Sequence, residues 1–287
     1  MTRELHWSWE GQTIPLGLDE AGEGPSALLL PALSSISTRS EMHPLMQRLA
    51  PDHHVMTVDW PGFGDRPRPK LDYTPAMLQA FLDWLLTEIV PRPALLVAAG
   101  HASAYALGHL ARHPGTVGRL VLVAPTWRGP FPTMMGGERP WFARVRAAVD
   151  APVLGPALYA LNLSGPVIRK MVVGHVYSDP TWLTPERMAA KRAVTSAAGA
   201  RHASVRFVTG GLDRVASRDA FLALAEKAAV PTLVVYGAET PPKSRAEMEA
   251  LAARPGIESV RLPQGKLSLH EEFPDAVAAA ITRFAPG

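Results

Sequence analysis

Val97-Ala98-Ala99-Gly100-His101-Ala102-Ser103-Ala104-Tyr105-Ala106 is the stretch that decides how the chain folds. The apolar run Ala94 to Ala99 reads as a short buried strand. It stops at Gly100, and from Ser103 to Arg112 small and apolar residues recur at helical spacing. A strand that becomes a helix this quickly turns so sharply that the residues two before and two after the tip must be small. Gly100 and Ala104 meet that demand if the tip is Ala102. A tip at Ser103 would put His101 and Tyr105 in the two crowded places. The pattern therefore predicts alanine, a residue with no reactive atom, at the tip.

Outward from this turn, strands and helices alternate. Leu5 to Trp9 and Thr13 to Leu18 flank Glu10-Gly11 as a hairpin, and Ala27 to Leu30 is a short buried strand ending at Pro31. Thr38 to Leu49 is expected to be helical with Ser40 as a possible cap, and Thr74-Pro75 opens a helix to about Val90. His54 to Val58, Arg119 to Ala124, Thr232 to Tyr236 and Ser259 to Leu262 read as further strands; helices are expected over 217–229, 244–253 and 275–284. This alternation argues for an α/β fold with a mostly parallel sheet covered on both faces. From Thr126 to about Arg214 strands give way to short helical stretches at 141–149, 157–163, 167–173 and 185–196, broken by Gly and Pro. The expected organisation is a core of residues 1–125 and 215–287 with a helical lid, 126–214, inserted between.

The 287 residues are 47% hydrophobic and 19% charged, which suits one globular domain carrying an insertion. The absence of cysteine excludes disulfides, thiolate nucleophiles and Cys-ligated metals, and fits a reducing, cytoplasmic compartment. The polar start lacks a leader's apolar core, and no apolar run approaches the roughly 18 residues of a membrane span. A net charge of +3, spread along the chain, gives little footing for nucleic acid. No metal, nucleotide or phosphate motif is present. Asp59 to Gly64 lacks the Gly-Lys-Ser/Thr ending of a P-loop, so no cofactor is expected. His109 and His113 are four apart on one helix face, but no acidic residue accompanies them and Pro114 follows; they read as a solvated helix end.

Several short motifs, in order, resemble the α/β-hydrolase family with a helical lid. Val58-Asp59-Trp60-Pro61-Gly62-Phe63-Gly64 is similar to the family's D-x-P-G-x-G turn. Gly100 and Ala104 match its nucleophile elbow, G-x-S-x-G. Arg119 to Pro125 resembles the strand before the lid, Leu233 to Gly237 the strand that carries the catalytic acid, and Glu272-Phe273-Pro274 the start of the final helix. The resemblance implies a nucleophile at the elbow, a histidine base, an orienting carboxylate and two N–H donors for an oxyanion. At the matching positions this chain carries Ala102, Leu267 and Thr240, a branch with the triad positions substituted, and the oxyanion loop opens with Pro31-Ala32 in place of His-Gly.

Two function classes follow. The first is a non-hydrolytic or non-canonical member that binds a small apolar or carbonyl-containing molecule under the lid. Its pocket would be lined by Leu33, Ala102, Ser103, Met134, Met135, Trp141, Tyr177, Thr240 and Leu267, with the N–H groups of Ser103 and Leu33 as donors. Family members without the serine work as lyases and cofactor-free oxygenases, although those generally keep the histidine. The second is an esterase-like hydrolase with a displaced set: Ser103 as nucleophile, His270 as base and Glu239 as orienter. Against that set stands a plain helix-start role for Ser103 and a structural role for His270. Asp59, at a strand end, is expected to hold its own turn, and His101 to pack beneath the sheet.

Overall fold

A computed structural model describes residues 1–162 and 165–285, with the side chains of residues 161–167 outside the description. Glu10 and Gly11 both take positive φ, +48° and +77°, and fold β1 (Thr2–Trp9) onto β2 (Gln12–Ala21) as an antiparallel hairpin. β2 pairs antiparallel with β4 (His54–Val58), the turning point of the sheet. Beyond it β3 (Ser26–Leu30), β5 (Leu95–Ala99), β6 (Arg119–Val123), β7 (Thr232–Gly237) and β8 (Ile257–Leu262) are all parallel. The spatial order is β1-β2-β4-β3-β5-β6-β7-β8. Every residue of β5 and β7 is buried, which is why their sequences run apolar without alternating.

Helices cover the sheet. A 3-10 turn, Arg39–Met42, leads into α1 (His43–Leu49), where an unbroken helix from Thr38 was expected. The cap is Thr38, whose Oγ1 accepts from Ser40 N at 3.3 Å, so Ser40 is the capped residue and not the cap. α2 (Pro75–Trp84) is capped by Thr74 and runs on into a π turn at Leu85–Ile89, and α3 (Ala102–Leu110) follows the elbow.

Among the described residues, six helices stand between β6 and the next core helix: α4 (Pro130–Met135), α5 (Trp141–Asp150), α6 (Leu154–Asn162), α7 (Gly165–His175), α8 (Pro185–Ser196) and α9 (Ala200–Val208). The sequence reading had missed α4 and α9, and Leu163, its expected end for the second helix, lies outside the described residues. α10 (Arg218–Ala228), α11 (Pro242–Ala252), α12 (Leu269–Glu272) and α13 (Pro274–Phe284) complete the core. The main apolar core surrounds the sheet. A smaller one, formed by Ile168, Val172, Tyr177, Leu183 and Met188 of the insertion, closes on Ile36 of the loop after β3. That contact sets the insertion against the rim formed by the strands' C-terminal ends, where ligands bind in open α/β sheets.

Candidate functional site

The elbow is built differently from the sequence expectation. Its left-handed residue is Gly100, with φ +52°; His101 is already helical, with φ −68° and ψ −22°, and Ala102 is the first residue of α3. The tip is therefore Gly100 and not Ala102, and the small residues two before and two after it are Ala98 and Ala102. Both registers satisfy the small-residue rule on paper; the backbone separates them, because glycine takes positive φ without the steric penalty a Cβ brings. A Cβ on Gly100 would point between the β3 and β6 loops, 3.2 Å from Ala32 Cβ and 3.9 Å from Thr126 Oγ1.

Ser103 is turned away from this point. Its Oγ donates to Ala98 O and its N–H to Gly100 O, each at 3.2 Å, and it is fully buried in the first turn of α3. Neither its hydroxyl nor its N–H is free for a ligand. Glu239 is exposed, whereas His270 is fully buried with Nε2 3.2 Å from Glu41 Oε1. The structure thus does not join Ser103, His270 and Glu239. The N–H groups of Leu33, after β3, and His101, after the tip, have no acceptor among the described residues. These two flank Gly100 as an oxyanion pair would flank a nucleophile.

Glu41 is the site residue that sequence reasoning missed. It is buried, and its Oε1 accepts the Ala32 N–H at 2.7 Å while facing His270. Burial alone would raise the Glu41 carboxyl. Contact with His270, the Lys191 charge and a Ser37 hydrogen bond outweigh it and hold the group below 4.5. The His270 contact is off-axis, and neither ring nitrogen completes an aligned hydrogen bond. No periodicity links residues 229 positions apart, and Arg39-Ser40-Glu41 reads in sequence as an ordinary polar turn, so nothing marks Glu41 as buried.

The residues around His270 anchor the insertion. Leu267 N and Ser268 N both donate to Val176 O, at 3.2 and 3.1 Å. Glu271 accepts from Tyr177 OH at 2.5 Å and from Lys191 Nζ at 3.1 Å. Burial, with Glu271 nearby, pushes the Tyr177 phenol well up, so it stays a donor. Glu272 accepts from Ser178 N and Asp179 N, at 2.9 and 2.7 Å. The Glu-Glu-Phe-Pro segment therefore clamps the start of the insertion's second half onto the core.

Of the expected lining, Leu33, Ala102, Ser103, Tyr177 and Thr240 are buried and Leu267 is half-buried. Thr240 Oγ1 is buried with no partner. Met134, Met135 and Trp141 are exposed instead of lining the rim, a correction to the expectation. α4 ends at once in a left-handed Gly136, and Trp141, tilted at 48° to Phe131 and nearly perpendicular to Phe142, stays exposed. Two surface cavities, of about 350 and 330 Å³, open beside Arg146 and Arg206 and beside Arg139, away from the elbow.

Asp59 ties its strand end to the 3-10 turn before α1 in place of its own turn, accepting from Arg39 N at 2.7 Å and pairing with the Arg39 guanidinium. His101 is buried, with Nε2 3.2 Å from Leu212 O. His109 is not a solvated helix end. It is fully buried and meets an acid after all, Asp83 of α2, at 2.7 Å from Nδ1, with Thr116 on Nε2. Asp83, His109 and His113 bring ligand atoms within 4.8 Å of one another, but Arg112 already holds both Asp83 oxygens.

The model of the alpha/beta hydrolase family matches residues 27–280. Among solved structures, the chain is similar to the enol-lactonase from Burkholderia xenovorans LB400, at 18% identity and TM-score 0.74, over 98% of this chain and 99% of that one. It is similar to a thermophilic esterase from Thermogutta terrifontis, at 20% identity and TM-score 0.72, over 99% and 97%. The Cif epoxide hydrolase from Acinetobacter nosocomialis aligns at 17% identity and TM-score 0.73, over 99% and 88%. No curated protein matches. Among the described residues no helix is long and apolar enough to cross a membrane.

Proposed function

Because the chain belongs to the α/β-hydrolase family, we propose that it uses the family's rim site without the family's serine chemistry, binding a small apolar or carbonyl-containing molecule beneath a lid formed by residues 126–214. The observation that carries this reading is Gly100 at the turn tip, which carries no side chain, with the Ser103 hydroxyl committed to Ala98 O. The donors for a carbonyl oxygen are the N–H groups of Leu33 and His101. Leu33, Leu267 and Tyr177 supply the apolar wall, and Thr240 a spare hydroxyl. Any proton transfer at this rim falls to His270, oriented by Glu41.

The test is paired. A fluorophosphonate probe is expected to leave the protein unlabelled, and a panel of small apolar ketones and esters is expected to include compounds that raise the melting temperature. That rise is expected to vanish in Leu267→Glu. Labelling that disappears in Ser103→Ala would restore the displaced Ser103, His270 and Glu239 hydrolase and overturn the proposal.

A further inference from the structure

Residues 151–168, Ala-Pro-Val-Leu-Gly-Pro-Ala-Leu-Tyr-Ala-Leu-Asn-Leu-Ser-Gly-Pro-Val-Ile, contain no charged side chain. In a buried element that would be ordinary. Here the segment holds some of the most exposed apolar side chains of the molecule: Val153 is 89% exposed, Leu154 55% and Leu158 37%. Pro152, Pro156, Ala157 and Ala160 are exposed as well. Leu154, Ala157 and Leu158 stand at i, i+3 and i+4 and so share one face of α6. What holds that face outward is its neighbour. Gly155 is buried against α5, where a Cβ would come within 2.0 Å of Val149 O. Tyr159, one turn on, follows it inward. The apolar face is therefore fixed towards solvent by the packing of the opposite side.

The charge of the surrounding segment is mostly positive. Over residues 128–175 six Arg and Lys (Arg128, Arg139, Arg144, Arg146, Arg169, Lys170) stand against Glu138 and Asp150. Asp150 is already held by His202 at 2.6 Å and Arg206 at 2.9 Å. Arg144, Arg169 and Lys170 are exposed, and the last two directly follow the uncharged run. The whole chain carries only +3, so this segment holds its positive excess. An exposed apolar face bordered by basic residues, too short to span a bilayer, is the pattern of an element that lies in the interface of an anionic membrane.

We propose that the α5–α7 face of the insertion docks on an anionic lipid surface, with Val153, Leu154 and Leu158 entering the acyl boundary and Arg144, Arg169 and Lys170 meeting the headgroups. This inference stands independently of what the rim binds.

The probe is a set of sedimentable vesicles, phosphatidylcholine alone or with about a third phosphatidylglycerol. The full chain is expected to sediment with the anionic vesicles, to lose binding as salt rises, and to leave neutral vesicles largely alone. The double variants V153E/L154E and R169E/K170E are each expected to weaken binding at least about tenfold. Both change exposed positions, so an unchanged melting temperature separates lost docking from lost fold. The cysteine-free chain also allows a dye at V153C, expected to shift to the blue on anionic vesicles, whereas S259C on the far edge strand stays unchanged. No sedimentation with anionic vesicles overturns the proposal. So does a concentration-dependent dimer abolished by V153E/L154E, which would make a second copy of the chain the occupant of this face.

Discussion

Arg39 and Glu41 leave the same 3-10 turn in different directions, about two-thirds of a turn apart, and build two buried charge clusters of opposite character. Arg39 faces the Asp59 turn. Its guanidinium meets Asp59, Asp65 at 2.7 Å and Asp19 at 2.9 Å, lying over Gly17, where any Cβ would collide with it. Glu41 faces the rim, where it holds the Ala32 N–H and leaves His270 without an aligned partner. The first cluster is closed in charge: one cation stands among three carboxylates, although Arg39 Nε and Asp19 Oδ1 complete no aligned hydrogen bond. The second keeps unused hydrogen-bonding capacity at the place where a ligand would arrive. Both clusters leave polar atoms unpaired, so position separates them: the spare capacity beside His270 lies at the rim, where ligands bind in open α/β sheets.

Breaking the closed cluster has the largest expected effect. Arg39→Leu leaves Asp59, fully buried, and Asp19, nearly so, without their cation. Burial already pushes the Asp59 carboxyl up despite Arg39. The expected loss is about 3–5 kcal/mol in urea unfolding. Arg39→Lys should recover only part of it, since an ammonium cannot fork between carboxylates. A loss under about 1 kcal/mol would mean the cluster is a solvated accessory and would erase the contrast with Glu41.

Breaking the open pair costs less and leaves a pH signature. The folded Glu41 carboxyl lies below 4.5, held there against burial by His270, Lys191 and Ser37. A lowered acid contributes stability that is complete above its unfolded value and is lost as pH falls through its folded one. Glu41→Gln, which can still accept the Ala32 N–H, is expected to cost about 1–3 kcal/mol at neutral pH. The gap to the wild type should narrow as pH drops below 4.5, the carboxyl's ordinary value. Denaturant curves from pH 7 to pH 3 test this, and a gap that stays constant would detach Glu41 from His270.

These two clusters also show what a sequence can carry. The sheet was legible because its central strands are uniformly apolar and each is followed by its own turn chemistry; the hairpin at Glu10-Gly11 was found where the pattern put it. The elbow was found but placed two residues late, since Ala98, Gly100, Ala102 and Ala104 are all small and only the left-handed φ at Gly100 tells them apart. Glu41 was invisible because its partner lies across the chain. Met134, Met135 and Trp141 were assigned inward because apolar character was equated with burial. That rule fails on part of the insertion, which buries Phe142, Ile168 and Tyr177 but leaves Met134, Met135 and Trp141 outside.

The smallest effect sharpens the comparison most. Thr240 lies in the loop after β7 with its Oγ1 buried and unpartnered. If the hydroxyl were structural, removing it would destabilise the fold. Its lack of a partner predicts the opposite: Thr240→Val relieves an unmet desolvation cost and should leave stability unchanged or raise it by up to about 1 kcal/mol. The same substitution should reduce the melting-temperature rise given by a carbonyl compound found in the ligand panel, because the ligand would lose an unpaired hydroxyl. Thr240→Ser, which keeps the oxygen, should keep the rise. A Thr240→Val protein that is less stable yet responds fully to the ligand would place this hydroxyl with the closed cluster, and the rim would then rest on the Leu33 and His101 N–H groups and on His270 alone.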